Sequence, residues 1–202
     1  MSLPTTNIGA AAAVLKHGNA AIYPTETVYG LGVSVRDAES PAVLFDIKQR
    51  SKAKPIAWLV GGVDDLTRYG KHVPKFACAI ARTFWPGPLT LIVKAGDAVP
   101  ERFRSAEGTI GLRMPNNDTA LALISEVGCP LATTSANFSG YKPPRRSTAI
   151  DPDLAARVEA VLVDEDDSEK SGVASTILDC TGDHPVMVRE GAISIADIKA
   201  QS

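Results

Sequence analysis

Short apolar runs that end on glycine or proline alternate with stretches that open on a capping residue, and the alternation runs the length of the chain. Thr6 or Asn7 caps a first predicted helix that reaches His17 and stops at Gly18. Ala20 to Tyr23 reads as a short buried strand broken by Pro24. Ser40-Pro41 pairs a cap with a proline at the first helical position and opens a helix through about Ile47. Ile56 to Val60, Leu89 to Lys94, Thr109 to Leu112 and Leu131 to Thr134 read as strands. Between them, Pro74 starts a helix that ends near Phe84, and Asn116 or Asn117 caps one that ends before Gly128. Pro152 to about Glu159 is predicted helical and Ala160 to Val163 extended. Thr176 to Leu178 and Val186 to Val188 are predicted strands, and Ser194 caps a last helix. This interleaving predicts an α/β fold with a twisted mixed sheet and flanking helices. It is read as a single domain over residues 1–202 with its core at about 8–198.

Composition narrows the function classes. A chain of 202 residues buries enough surface to need no disulfide or metal staple. Cys78, Cys129 and Cys180 form no CxxC, and His17, His72 and His184 have no paired ligand spacing, so no structural metal is expected. Reduced thiols point to the cytoplasm. The apolar patch Ile8 to Leu15 has no basic residue before it, and no run of 18 apolar residues occurs, so neither a signal peptide nor a membrane span is expected. A net charge of −2 and 5% aromatics argue against a bulk nucleic-acid binder. The acidity is concentrated, however. Asp164 to Lys170 holds five acids and one base, and without it 20 bases face 18 acids. That run reads as a solvated, mobile loop, and the remainder has room for a local basic site.

Several segments carry residue types suited to chemistry. Pro24-Thr25-Glu26-Thr27-Val28-Tyr29-Gly30-Leu31-Gly32 offers hydroxyls for carboxylate or carbonyl oxygens and glycines for close approach, or a turn that satisfies its own backbone. In Lys48-Gln49-Arg50-Ser51-Lys52-Ala53-Lys54-Pro55 the cations recur at every second position. An extended chain would set them on one face about 20 Å long, suited to a polyanion; the alternative is a solvated basic loop. Phe84-Trp85-Pro86-Gly87-Pro88-Leu89-Thr90 reads as a rigid turn anchored by aromatics. Arg113, before Met114-Pro115, stands at a strand end, where open α/β sheets bind ligands. Thr133-Thr134-Ser135-Ala136-Asn137 follows a strand too, and suits phosphate or ribose as well as helix capping. Ser175-Thr176 and Arg189-Glu190-Gly191 flank the last strands, and a lone arginine there also reads as a surface residue. No GxxxxGK[ST] or GxGxxG occurs, so a nucleotide would be held by side chains.

Taken in order, these segments resemble the YrdC family of threonylcarbamoyl-AMP synthases. The matching pieces are Pro24 to Gly32, Lys48-x-Arg50 with Lys54-Pro55, Trp85 to Thr90, Arg113-Met114-Pro115, Ser135-Ala136-Asn137, Ser175-Thr176-Ile177 and Arg189-Glu190-Gly191. The resemblance implies a concave basic groove on the α/β domain and a reaction in it: L-threonine, bicarbonate and ATP give threonylcarbamoyl-AMP and pyrophosphate. It also implies a partner transferase that passes the threonylcarbamoyl group to tRNA. By position, Lys48, Arg50, Ser135 and Asn137 match the family's nucleotide quartet, with Lys48 and Arg50 as catalytic cations on the phosphates. Lys54, Thr134 and Arg189 match further ATP contacts, and Thr27, Arg113 and Ser175 match positions that hold threonine. Mg²⁺ is expected with the ATP. Longer members carry a histidine where Leu59 stands and a second, C-terminal domain. The alternative is a non-enzymatic RNA-binding or ribosome-associated module that uses the same groove.

Overall fold

The computed structural model describes residues 4–49 and 56–199. Its strands are β1 (Pro4–Thr5), β2 (Ala21–Tyr23), β3 (Gly30–Ser34), β4 (Ala57–Leu59), β5 (Leu89–Lys94), β6 (Thr109–Arg113), β7 (Leu131–Ser135), β8 (Ala160–Leu162), β9 (Thr176–Asp179) and β10 (Val186–Arg189). The helices are α1 (Ile8–Lys16), α2 (Ala42–Lys48), α3 (Asp65–Tyr69), α4 (Lys75–Phe84), α5 (Asp118–Val127), α6 (Pro152–Ala155) and α7 (Ile195–Lys199). The strands form one mixed sheet in the order β1-β8-β2-β3-β7-β4-β6-β5-β9-β10. The pairs β1/β8, β2/β8, β4/β6 and β5/β9 are parallel and the other neighbours antiparallel.

The helix ends follow from capping chemistry. Asn7 Oδ1 accepts from Ala10 N at 3.0 Å at the start of α1, and Asn117 Oδ1 accepts from Ala120 N at 2.8 Å at the start of α5. Each cap of this type stabilises its helix by about 1 kcal/mol. Gly128 closes α5 in the left-handed conformation, φ +78°.

Both faces of the sheet are packed, with period-two alternation along the strands. Ala21 and Tyr23 of β2 point to a layer with α1 and α5, whose Leu15, Leu123 and Val127 are fully or almost fully buried. Ile22, between them, points to the larger cluster on the other face, with Leu31, Val33, Trp58, Leu91 and Leu112.

Three elements go beyond the sequence reading: β1, β3 and the short α3. β3 carries Gly30 and Gly32, glycines read as allowing close approach or as part of a self-satisfied turn. Here the Tyr23 ring lies across that face of the strand. A Cβ at Gly32 would come within 2.1 Å of the Tyr23 hydroxyl and 2.8 Å of Ala132 O. The helix from Pro152 ends at Ala155 rather than near Glu159. Glu159 N already donates to Ala20 O, and Ala160 pairs with Ala21, so the parallel ladder takes the chain before another helical turn forms.

The connection from β8 to β9 has an unusual route. β8 is second in the sheet and β9 ninth, so residues 163–175 pass across the intervening strands as a strap. Lys170 N donates to Arg145 O, Ser171 N to Glu26 O and Gly172 N to Thr27 O, which fixes the strap over the turn between β2 and β3.

Candidate active site

Where α1 and α5 stop covering their face of the sheet, a cavity of about 400 Å³ opens. Its floor consists of residues of one strand parity: Gly30 of β3, Thr133 and Ser135 of β7, Ala57 and Leu59 of β4, Arg113 of β6 and Thr90 of β5. Glycine and alanine in this row keep the floor low. The strap supplies a wall through Gly172, Ala174 and Ser175. The cavity therefore lies on the sheet face. The expected position, beyond the carboxyl ends of the strands, is corrected by this geometry, although Arg113 does end its strand.

At one end of the cavity, Arg113 is buried, with Nη2 donating to Thr27 Oγ1 at 3.0 Å and standing 2.8 Å from Glu26 Oε1. Thr27 is held in turn by Thr25 Oγ1, 2.9 Å away. Arg189 approaches along the wall. Its Nε and Nη2 donate to Ser175 O at 3.1 and 2.7 Å, and Nη2 also donates to Ser175 Oγ at 3.1 Å. Ser175 Oγ lies 3.1 Å from Thr90 Oγ1. Desolvation at the wall, and then the Arg113 charge, lowers the Arg189 pKa. The Arg113 charge beside Arg189 favours an anion between the two guanidiniums. Arg189 is solvent-exposed along part of its length and also lines the cavity.

At the other end, Lys48 is 2% exposed. Its ammonium donates to Ser135 O and, at 3.3 Å, to Asn137 Oδ1. Asn137 Nδ2 donates to Phe138 O at 2.9 Å and Tyr141 O at 2.7 Å, which fixes the loop after β7. Thr134 also lines the cavity. The extended arrangement expected for Lys48 onward is corrected at its first residues. Lys48 is the last residue of α2, and Gln49 is left-handed at φ 51°. Lys48 thus reaches the site from a helix end, as a buried ammonium. Arg50 and Lys54 lie outside the described residues.

The structure thus brings Thr27, Lys48, Arg113, Thr134, Ser135, Asn137, Ser175 and Arg189 to one cavity. Thr133, part of the cluster suited to phosphate or ribose, joins them, and so does Thr90, from the segment read as a rigid turn. The signal for Thr90 was present: Leu89, Leu91 and Val93 alternate with it, so it must face away from the core they fill. The acidic run is anchored, not free. Asp164 pairs with the buried Lys170, and Glu169 with Arg145 at 3.2 Å. Asp167 accepts from Tyr29 Oη at 2.6 Å and from Ser147 N and Oγ at 2.9 and 2.6 Å. Among the described residues no group of three His, Cys, Asp or Glu side chains gathers as a metal cage.

The family model named for Sua5, YciO and YrdC, described as "Telomere recombination", matches residues 13–191. The chain belongs to the Sua5/YciO/YrdC family. This family member is 34% identical over 201 residues to the threonylcarbamoyl-AMP synthase of Bacillus subtilis, covering 99% of its own length and 58% of that protein's. The Sua5 of Pyrococcus abyssi, in a crystal structure complexed with L-threonine, superposes with a TM-score of 0.89 at 30% identity, over 99% of this chain and 60% of that one. Escherichia coli YciO superposes with a TM-score of 0.85 at 26% identity, over 98% of this chain and 100% of that one. The chain spans 58% and 55% of the lengths of the Bacillus and Pyrococcus synthases it matches. The mixed α/β sheet expected from the sequence is the fold these structures share.

Proposed function

We propose that the chain is an L-threonylcarbamoyladenylate synthase, which converts L-threonine, bicarbonate and ATP to threonylcarbamoyl-AMP and pyrophosphate. The observation that carries this reading is one cavity with a buried ammonium at one end and paired guanidiniums at the other. The names of its relatives, and the threonine in the Pyrococcus complex, support it.

The reacting complex carries a triphosphate, a carboxylate and a carbamate, all negative. The task is to hold them together and align the carbamate oxygen opposite the leaving pyrophosphate. Positioned cations do this with little acid–base chemistry. Lys48 and, beyond the described residues, Arg50 take the phosphates, Ser135 and Asn137 complete the nucleotide quartet, and Thr134 and Lys54 are further nucleotide contacts. Arg113 offers the threonine carboxylate a fork of donors, with Thr27 and Ser175 beside it. Arg189, tied to Ser175, is a further ATP contact. Mg²⁺ would arrive on the triphosphate oxygens and share the neutralisation of charge. The product would pass to a partner transferase for tRNA modification in the cytoplasm.

The test is pyrophosphate release with ATP, bicarbonate and L-threonine, each omitted in turn. Release that requires all three is expected. RNA binding with a steep salt dependence and no threonine-dependent turnover would favour the RNA-binding alternative.

A further inference from the structure

A carboxylate stands behind the guanidinium at the amino-acid end of the cavity. Glu26 Oε1 is 2.8 Å from Arg113 Nη2. Thr25, Thr27, Val28 and Arg113 line the cavity, whereas Glu26 does not. Both Glu26 carboxylate oxygens and Arg113 Nε are shut off from solvent and make no hydrogen bond. A buried ion pair without satisfied hydrogen bonds is a net burden on folding. Its position accounts for it. Arg113 is buried beside a second guanidinium, that of Arg189, and the two repel. A flexible arginine in that position would turn toward water. Glu26 holds it from behind, and Thr27 Oγ1 accepts from the same Nη2 at 3.0 Å. The strap fixes the Glu26 backbone in turn, since Ser171 N donates to Glu26 O at 3.1 Å and Gly172 N to Thr27 O at 2.8 Å.

We infer that Glu26 is a positioning residue for substrate carboxylate recognition: it fixes the rotamer of Arg113 so that the rest of the guanidinium faces the cavity. This rests on the proposed reading of Arg113 as the group that binds the threonine carboxylate. Glu26 itself touches no substrate.

The experiment compares wild type, Glu26→Gln and Glu26→Ala by calorimetric titration with L-threonine and with ATP, and by the KM and kcat of pyrophosphate release. Glu26→Ala should raise the threonine KM by about 10- to 100-fold, the range for a misplaced binding group, and leave the ATP KM unchanged. Glu26→Gln, which keeps the shape and an acceptor, should recover part of the loss, and it carries the test should Glu26→Ala fail to fold. An unchanged threonine KM in both variants overturns the inference. So does a parallel rise in both KM values with a lowered Tm, which would mark a merely structural residue. A wild-type protein that binds no threonine would overturn the carboxylate reading itself and the inference with it, an outcome read from the wild type alone.

Discussion

Arg113 Nη2 donates to the hydroxyl of Thr27 at 3.0 Å, joining residues 86 positions apart at one wall of the cavity. The bond uses one corner of the guanidinium and fixes its plane. Arg113→Lys keeps the charge and loses the fork. Threonine affinity should fall by about 10- to 100-fold, as expected for a hydrogen bond to a charged group of 1.5–3 kcal/mol. ATP affinity should stay the same. Calorimetric titration with each substrate checks both halves.

Lys48 reaches the cavity from the last residue of α2, with its ammonium on Ser135 O and Asn137 Oδ1. Removing such a preorganised donor costs about 3–4 kcal/mol of transition-state stabilisation, or on the order of 10²–10³ in rate. Lys48→Met should therefore abolish most threonine-dependent pyrophosphate release. A thermal melt separates this from loss of fold, because methionine retains the buried stem.

Gly32 has no room for a side chain. An added Cβ would stand 2.1 Å from Tyr23 Oη and 2.8 Å from Ala132 O. Gly32→Ala should destabilise the protein by about 1–3 kcal/mol or more, the range for overpacking. Tyr23→Phe removes the nearest atom, so the double variant should be more stable than Gly32→Ala alone, though short of wild type because the Ala132 contact remains. Denaturant melts of the four proteins measure the coupling.

Asp167 ties the strap to the turn before β3. Burial raises its pKa, but hydrogen bonds from Ser147 and Tyr29 outweigh that and bring it below the ordinary carboxylate value. A lowered folded-state pKa means that the stabilisation is complete above the unfolded value of about 3.9 and is lost as pH falls through the folded one. Asp167→Asn should thus lower stability at pH 7 by about 1–3 kcal/mol, the worth of hydrogen bonds to a charged group. The gap to wild type should close as pH falls below about 4. Melts across pH 2.5–7, a range set around that value, follow it.

Much of the fold was legible because its signals are local. Asn7 and Asn117, each one of two candidates, cap the first helix and the helix before Gly128, and β5 runs from Leu89 to Lys94 as read. β3 was not legible, because its glycines are fitted to the Tyr23 ring across a turn and to Ala132 and Thr133 of β7, which are remote in sequence. The acidic run misled for the same reason. Its charges find Tyr29, Ser147 and Arg145, which are remote in sequence.

The sequence by itself determined the interleaving of helix and strand, the caps and the residue types at the site, since capping, periodicity and charge act over a few neighbours. Tertiary structure alone decided that Lys48 and Arg113 face one cavity, that the cavity lies on the sheet face, and that Glu26 stands behind Arg113. Strand order sets those relations. The order places β7 between β3 and β4 and sends the chain from β8 across to β9. It comes from summed burial over the whole sheet, a quantity spread over every strand and recorded in no single segment.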